Sequence, residues 1–224
     1  SDLKPAVEAG DPEALWFTYR ALEYCFAYAL NPAGYTKDTE TAATQFEPGL
    51  RDHFLRARTQ VSGRCRGYST RKISLSQTYA VLLTAAQEGS LAAKATAIAY
   101  ANALPKAQRL PDSDLQIAQL VANIRRAKDP EAYLALSLLT GAVAQGRQNA
   151  FGPVSGSDIA AQSWALAACR IGMDCSATSP VMTQYCANAM VCGYQNLNQL
   201  ALNALIPAAS AKLVETNIQS ITAE

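Results

Sequence analysis

The sequence predicts an all-α fold: an α-solenoid of about five antiparallel helix hairpins, stapled by disulfides, with residues 1–224 forming a single repeat domain. Three observations carry this expectation. A helix-start tetrapeptide recurs at a distance that suits a helical repeat. Apolar residues recur at helical spacing. Six cysteines, an even number, are available to tie hairpins together.

The tetrapeptide Asp11-Pro12-Glu13-Ala14 recurs as Asp129-Pro130-Glu131-Ala132. Asp caps free amides, Pro takes the first helical position and Glu suits the positive end of the helix dipole. The two copies lie 118 residues apart, which is about three units of roughly 39 residues, the length of a helix–turn–helix repeat. Intermediate starts are read at Glu47-Pro48-Gly49-Leu50 and Glu88-Gly89-Ser90-Leu91, and a fifth follows Ile171-Gly172-Met173-Asp174.

The helical faces agree with these starts. Ile117, Leu120, Val121 and Ile124 fall at i, i+3, i+4 and i+7, as do Leu197, Leu200, Ala201 and Ala204. Asn31-Pro32, Leu104-Pro105 and Ile206-Pro207 read as stops, and Gly146 to Gly156 as an irregular loop. About ten helices are expected. Alanine makes up about one residue in five, and it loses little freedom in a helix while letting helices approach closely. No run of alternating β-branched residues suggests a sheet. No Pro/Gly/Ser-rich linker divides the chain.

The cysteines are Cys25, Cys65, Cys169, Cys175, Cys186 and Cys192. Six cysteines allow 15 connectivities. The last four form two copies of one spacing, which favours Cys169–Cys175 and Cys186–Cys192 with Cys25–Cys65. The nested alternative is Cys169–Cys192 with Cys175–Cys186. Paired cysteines place the protein in an oxidising compartment, the periplasm or the cell exterior. A four-cysteine zinc site is the competing reading, but zinc ligands usually stand two to four residues apart, not five.

The stretch from Asp158 to Cys175 (Asp-Ile-Ala-Ala-Gln-Ser-Trp-Ala-Leu-Ala-Ala-Cys-Arg-Ile-Gly-Met-Asp-Cys) resembles the second helix and boundary of a Sel1-like repeat, a family related to the tetratricopeptide repeats. Ala6 to Ala14 and Ala85 to Gly89 resemble the same boundary. Ala168 to Cys175 is similar to the boundary in cysteine-containing secreted Sel1-like proteins of bacteria, where a disulfide ties one hairpin to the next helix. That likeness implies Cys169–Cys175. It also implies a concave surface that binds protein or peptide, with no set chemistry. The glycines usual inside the first helix of each unit are mostly missing here.

Candidate chemistry is sparse. His53 is the only histidine and follows Asp52, but neighbours at i and i+1 do not face each other on a helix. It is therefore read as a surface or half-buried residue, and no histidine-based metal site is expected. Ser69-Thr70-Arg71-Lys72 fits the Ser-x-x-Lys pattern of penicillin-recognising enzymes, without the companion Ser-Asp-Asn and Lys-Thr-Gly motifs. Some cysteine-containing Sel1-like proteins are linked to penicillin binding, which keeps that reading in view. Glu23 is the one glutamate well inside an apolar helix, and a lytic transglycosylase would need such an acid. No phosphate loop or dinucleotide motif is present. No catalytic residue, cofactor or metal is therefore assigned.

The formal net charge is +1, but it is unevenly spread. Arg51, Arg56, Arg58, Arg64, Arg66, Arg71 and Lys72 crowd residues 51–72 against Asp52 alone. Such a patch steers an acidic partner or pairs with the acidic first hairpin. Arg56, Arg64, Arg66, Tyr68 and Arg71 are the expected contacts. Trp16 and Tyr19 belong to an aromatic run, Trp16 to Tyr28, that exceeds one helical stripe and so suggests an exposed binding patch or a helix clamped on two sides. The basic run has no stacking series for nucleic acid. No run of about 18 apolar residues spans a membrane. The start at Ser1 suits a removed signal peptide or a cloning remnant. The function expected is a periplasmic or secreted protein-binding scaffold. One form is an immunity protein or inhibitor that neutralises a toxic enzyme, and the alternatives are a cell-wall-active enzyme or a structural subunit of an envelope complex.

Overall fold

The computed structural model describes residues 3–68, 73–103 and 114–223. Among the described residues there is no β-strand. The α-helices are α1 (Lys4–Glu8), α2 (Pro12–Leu30), α3 (Pro32–Ala43), α4 (Pro48–Cys65), α5 (Leu75–Glu88), α6 (Leu91–Ala103), α7 (Asp114–Ala127), α8 (Pro130–Thr140), α9 (Gln148–Phe151), α10 (Asp158–Arg170), α11 (Pro180–Ala189), α12 (Leu197–Leu200) and α13 (Ala211–Thr222). These described helices number thirteen against about ten expected; α1 and α9 are single turns, and α12 runs on into Ala201–Leu205.

The starts follow the chemistry of the sequence. Asp11 accepts from the Ala14 amide at 2.8 Å and Asp129 from the Glu131 amide at 3.0 Å. Asn31 ends α2 and also caps α3, accepting from the Gly34 amide at 2.9 Å. Gly89 reverses the chain with a φ of 121° after α5, and Ser90 then caps α6 by accepting from the Ala93 amide. Gly172, with a φ of 119°, does the same after α10. The next helix does not begin there, however. Residues 174–179 first run irregularly, with Ser176 and Asn196 forming an isolated antiparallel bridge. α11 starts at Pro180, where Ser179 accepts from the Met182 amide.

The chain divides into two units. The first lies within Ser1–Trp16, Leu82–Asp174 and Asn198–Glu224, the second within Phe17–Val81 and Cys175–Leu197. In the first unit α8 packs against both α6 and α10, and α10 packs against α13. Small residues line these crossings: Ala92, Ala95, Ala132, Ala135, Ala160, Ala167 and Ala168 are all buried. Larger side chains fill what remains. The rings of Tyr133 and Trp164 lie 5.3 Å apart, and the Trp164 indole donates to the Val154 carbonyl at 3.0 Å. Ile117, Leu120, Val121 and Ile124 form the buried face of α7. The loop after α8 is less irregular than expected, because Gln148–Phe151 forms one helical turn that buries Ala150 and Phe151.

One helical stripe is interrupted. Leu197, Leu200 and Ala201 are buried but Ala204 is exposed. The chain widens to a π-helix over Ala201–Leu205, where the Ile206 amide donates to the Ala201 carbonyl, five residues back. That extra residue per turn rotates Ala204 outward and brings Ile206 in.

In the second unit α4 packs against α3 and α11. Its core gathers Tyr35, Phe54, Ala57 and Val61 around two disulfides, Cys25–Cys65 and Cys186–Cys192. Cys169 and Cys175 are also disulfide-bonded, and none of the six cysteines is free.

Candidate functional site

α4 has two working faces. Phe54, Ala57, Val61 and Cys65 point to the core. Next to them lies Arg58, whose guanidinium sits 3.4 Å from the centroid of the Tyr35 ring. Arg58 donates to Thr39 Oγ1 at 2.7 Å, to the Tyr35 carbonyl at 3.0 Å and to the Ala187 carbonyl at 3.3 Å. One arginine thus ties α3, α4 and α11 together. Burial is the main influence on both partners. It pulls Arg58 below its ordinary pKa and pushes Tyr35 up to about 12, with the Arg58 charge opposing the rise. Among the described residues the buried Tyr35 hydroxyl has no hydrogen-bond partner within 3.5 Å, and the Arg58 guanidinium is the polar group that acts on it.

The second face of α4 forms one wall of a cavity of about 220 Å³. His53, Arg56, Ala57 and Gln60 line it at i, i+3, i+4 and i+7. The opposite wall comes from residues 177–194 and includes Thr178, Met182, Val191 and Tyr194. Two polar ties fix the walls. Arg64 donates to the Thr178 carbonyl at 2.7 Å, and Thr183 Oγ1, which donates to the Ser179 carbonyl at 2.7 Å, stands 3.2 Å from the Gln60 side-chain amide. The Cys186–Cys192 disulfide lies in the floor. Gly193 is needed here: its φ is 92°, and a Cβ there would come within 2.7 Å of Leu50 Cδ2.

The structure distributes the expected contact residues unequally. Arg56 is exposed on the cavity rim. Arg64 is spent internally, on Thr178 and on the Tyr24 hydroxyl at 3.2 Å. Arg66 is exposed in a 3-10 turn, and Tyr68 of the same turn packs against the disulfide core. Arg71 and the whole Ser69–Lys72 motif lie outside the described residues. Trp16 and Tyr19 are core residues, not surface contacts, each only 2% exposed. The Trp16 indole donates to Glu131 at 3.2 Å and the Tyr19 hydroxyl to Glu23 at 3.0 Å. Glu23 also pairs with Arg20 at 3.1 Å, so it sits as a neutralised helix carboxylate. Sequence reasoning missed Gln60, Thr178 and Tyr194. The spacing of His53, Arg56 and Gln60 was a signal for one wall, and nothing local pointed to the other.

The first unit holds an acidic cluster of another kind. Burial first, and the Asp129 carboxylate second, push the Glu13 carboxyl above its ordinary value, while a hydrogen bond with Ser90 opposes them. The starts of α2, α6 and α8 therefore meet in space. Among the described residues no group of three or more His, Cys, Asp or Glu is placed to hold a metal ion.

Among the described residues, fold and site together define a disulfide-bonded, all-helical protein with a small cavity lined by Arg56, His53 and hydroxyl-bearing side chains. No protein-family model, curated protein or solved structure matches the chain.

Proposed function

We propose that this chain is a protein-binding scaffold of an oxidising compartment, the periplasm or the cell exterior, and that it acts as an inhibitor or immunity protein on an enzyme it grips. The observation that carries this reading is the cavity of the second unit. Among the described residues, Arg56, His53 and Tyr194 on its rim make no hydrogen bond or ion pair. Uncommitted donors on a covalently braced frame are what a binding surface requires, since little freedom remains to be lost on association. The disulfides support the compartment. Among the described residues no helix is long and apolar enough to cross a membrane.

The Sel1-like solenoid belongs to the same proposal. Three helix starts about 39 residues or multiples apart gather around Glu13, Ser90 and Asp129. α6, α8, α10 and α13 pack in succession. Both features support stacked repeats.

The test is affinity capture with the oxidised protein from envelope and secreted fractions, followed by reconstitution from purified chains. The expected result is a stoichiometric complex in which the captured enzyme loses activity. A captured enzyme that stays fully active removes the inhibitor reading, and the lack of any reconstituted complex removes the scaffold.

A further inference from the structure

We propose that the cavity between α4 and residues 177–194 is an anchor site for one acidic side chain, a glutamate, of the partner protein. The inference rests on the binding reading above and names the chemistry that the site recognises.

Charge comes first. The described lining residues include Arg56 and His53 and no carboxylate. The whole stretch Cys175–Leu197 carries no Asp, Glu, Lys or Arg. Among the described lining residues Arg56 is thus the one permanent charge, and none is an acid that could neutralise it. Its neighbours on α4 behave differently: Arg58 and Arg64 are both bound to backbone carbonyls. A guanidinium can only donate, and its fork matches a carboxylate with two parallel bonds. Tyr194 of the other wall and His53, one turn before Arg56, also line the cavity, and a phenol and an imidazole are residue types able to donate.

Size and polarity then choose among anions. At about 30 Å³ per water, the 220 Å³ cavity accommodates a side chain and not a folded segment. Below the rim the buried lining is largely apolar, formed by Ala57, Met182, Val191 and the Cys186–Cys192 disulfide, with Thr183 as its buried hydroxyl beside Gln60. A ligand with a charged tip and a short apolar stem suits that gradient. Glutamate has two methylenes to bury, whereas inorganic phosphate has none. The rigid floor leaves little to reorganise, so a single enclosed carboxylate can act as a hot spot within a larger interface.

The sole histidine makes the test clean, because its ring protons give one set of NMR resonances. The oxidised full chain is titrated with the blocked peptide acetyl-Ala-Ala-Glu-Ala-Ala-amide, its Gln counterpart, acetyl-Ala-Ala-Ala with a free carboxyl terminus, and inorganic phosphate. The Glu peptide is expected to shift the His53 resonances saturably with a Kd in the millimolar range, and the Gln peptide to bind at least about tenfold more weakly. Arg56→Gln should abolish the shift while leaving Tm unchanged, since Arg56 makes no described internal bond. The conservative Arg56→Lys should restore part of it, because a point charge lacks the fork. Equal binding of the Glu and Gln peptides overturns the proposal, as does the absence of saturation up to about 10 mM peptide. Tighter binding of the free terminus or of phosphate overturns the assignment to a glutamate side chain. The two readings fail separately. If Arg56→Gln keeps the captured partner at unchanged affinity, the anchor is lost and the scaffold stands. If no complex is reconstituted while the Glu peptide still binds, the scaffold is lost.

Discussion

In the first unit α8 lies against α6 on one side and α10 on the other, and the contact residues are alanines, leucines and two aromatic rings. In the second unit α4 meets α3 and α11 through an arginine, a threonine–glutamine pair and a ring of cysteines. Both units are helical, but their cohesion has different sources. Close approach of small side chains supplies dispersion and apolar burial with few polar obligations. A polar clasp holds only while each of its bonds is satisfied, because a buried group left unpaired costs more than the bond it lost. The second unit combines such a clasp with covalent staples, and it also bears the candidate site. On the proposed binding role, Arg56, His53 and Tyr194 are kept for a partner and do not serve the unit's own stability. The staples provide that stability from elsewhere.

The largest expected effect breaks the staple. The Cys25–Cys65 bond closes a loop of 40 residues, worth about 4 kcal/mol on the chain-entropy model. Cys25→Ser with Cys65→Ser should therefore lower the unfolding free energy in urea by about that amount. The shorter Cys186–Cys192 loop, with a separation of six, should cost about 2 kcal/mol on the same model. Equal losses for the two bridges would mean that loop length is not what decides, and native packing around Cys65, which is 0% exposed, would become the explanation.

A second pair of variants sets the two kinds of cohesion side by side. Leu136 is fully buried in the first unit, so Leu136→Ala should cost about 3 kcal/mol through lost transfer energy and a cavity. Arg58→Met keeps much of the stem but removes the donor to the Ala187 carbonyl and to Thr39 Oγ1, while the Tyr35 carbonyl keeps the Thr39 hydroxyl at 2.7 Å. Its expected cost is about 2 kcal/mol, from unpaired acceptors and the lost stacking on Tyr35. Unfolding in urea measures both. A neutral Arg58→Met would show that the clasp adds nothing beyond packing, and the contrast between the units would fail.

The first unit was also the more legible one. The α7 face at Ile117, Leu120, Val121 and Ile124 and the cap at Asp129 follow from local patterns, and the structure places them so. Local rules stop working where distant segments meet. Arg58 was one base among seven in a run, and its role depends on Ala187, 129 residues away. The wall opposite His53, Arg56 and Gln60 is a stretch without charge or periodicity. Ala204 was misplaced because a π turn changes the period that the reading assumed. Trp16 and Tyr19 looked like surface aromatics because the sequence does not state how many sides of α2 are covered.

The smallest predicted effect tests the clasp without breaking it. Tyr35 keeps its ring under Arg58 and against Tyr28, at 3.4 Å and 5.5 Å between the relevant centres. Among the described residues its buried hydroxyl has no hydrogen-bond partner within 3.5 Å, so Tyr35→Phe removes a burden and keeps both ring contacts. At neutral pH the variant should be more stable by up to about 1 kcal/mol. Alkali should widen that gap. A tyrosine in the unfolded chain ionises near pH 10, while folded Tyr35 holds its proton to about 12 because burial disfavours the phenolate. The stability Tyr35 contributes is therefore whole below pH 10. It declines as pH rises toward 12, because there the unfolded state has released the proton that the folded state retains. Tyr35→Phe should show a shallower loss of unfolding free energy across that interval, and the wild-type absorbance titration should contain one late phenol that the variant lacks. A variant less stable than wild type at neutral pH would show that the hydroxyl is bonded after all. The second unit would then rest on a more complete polar network than the Arg58 contacts alone.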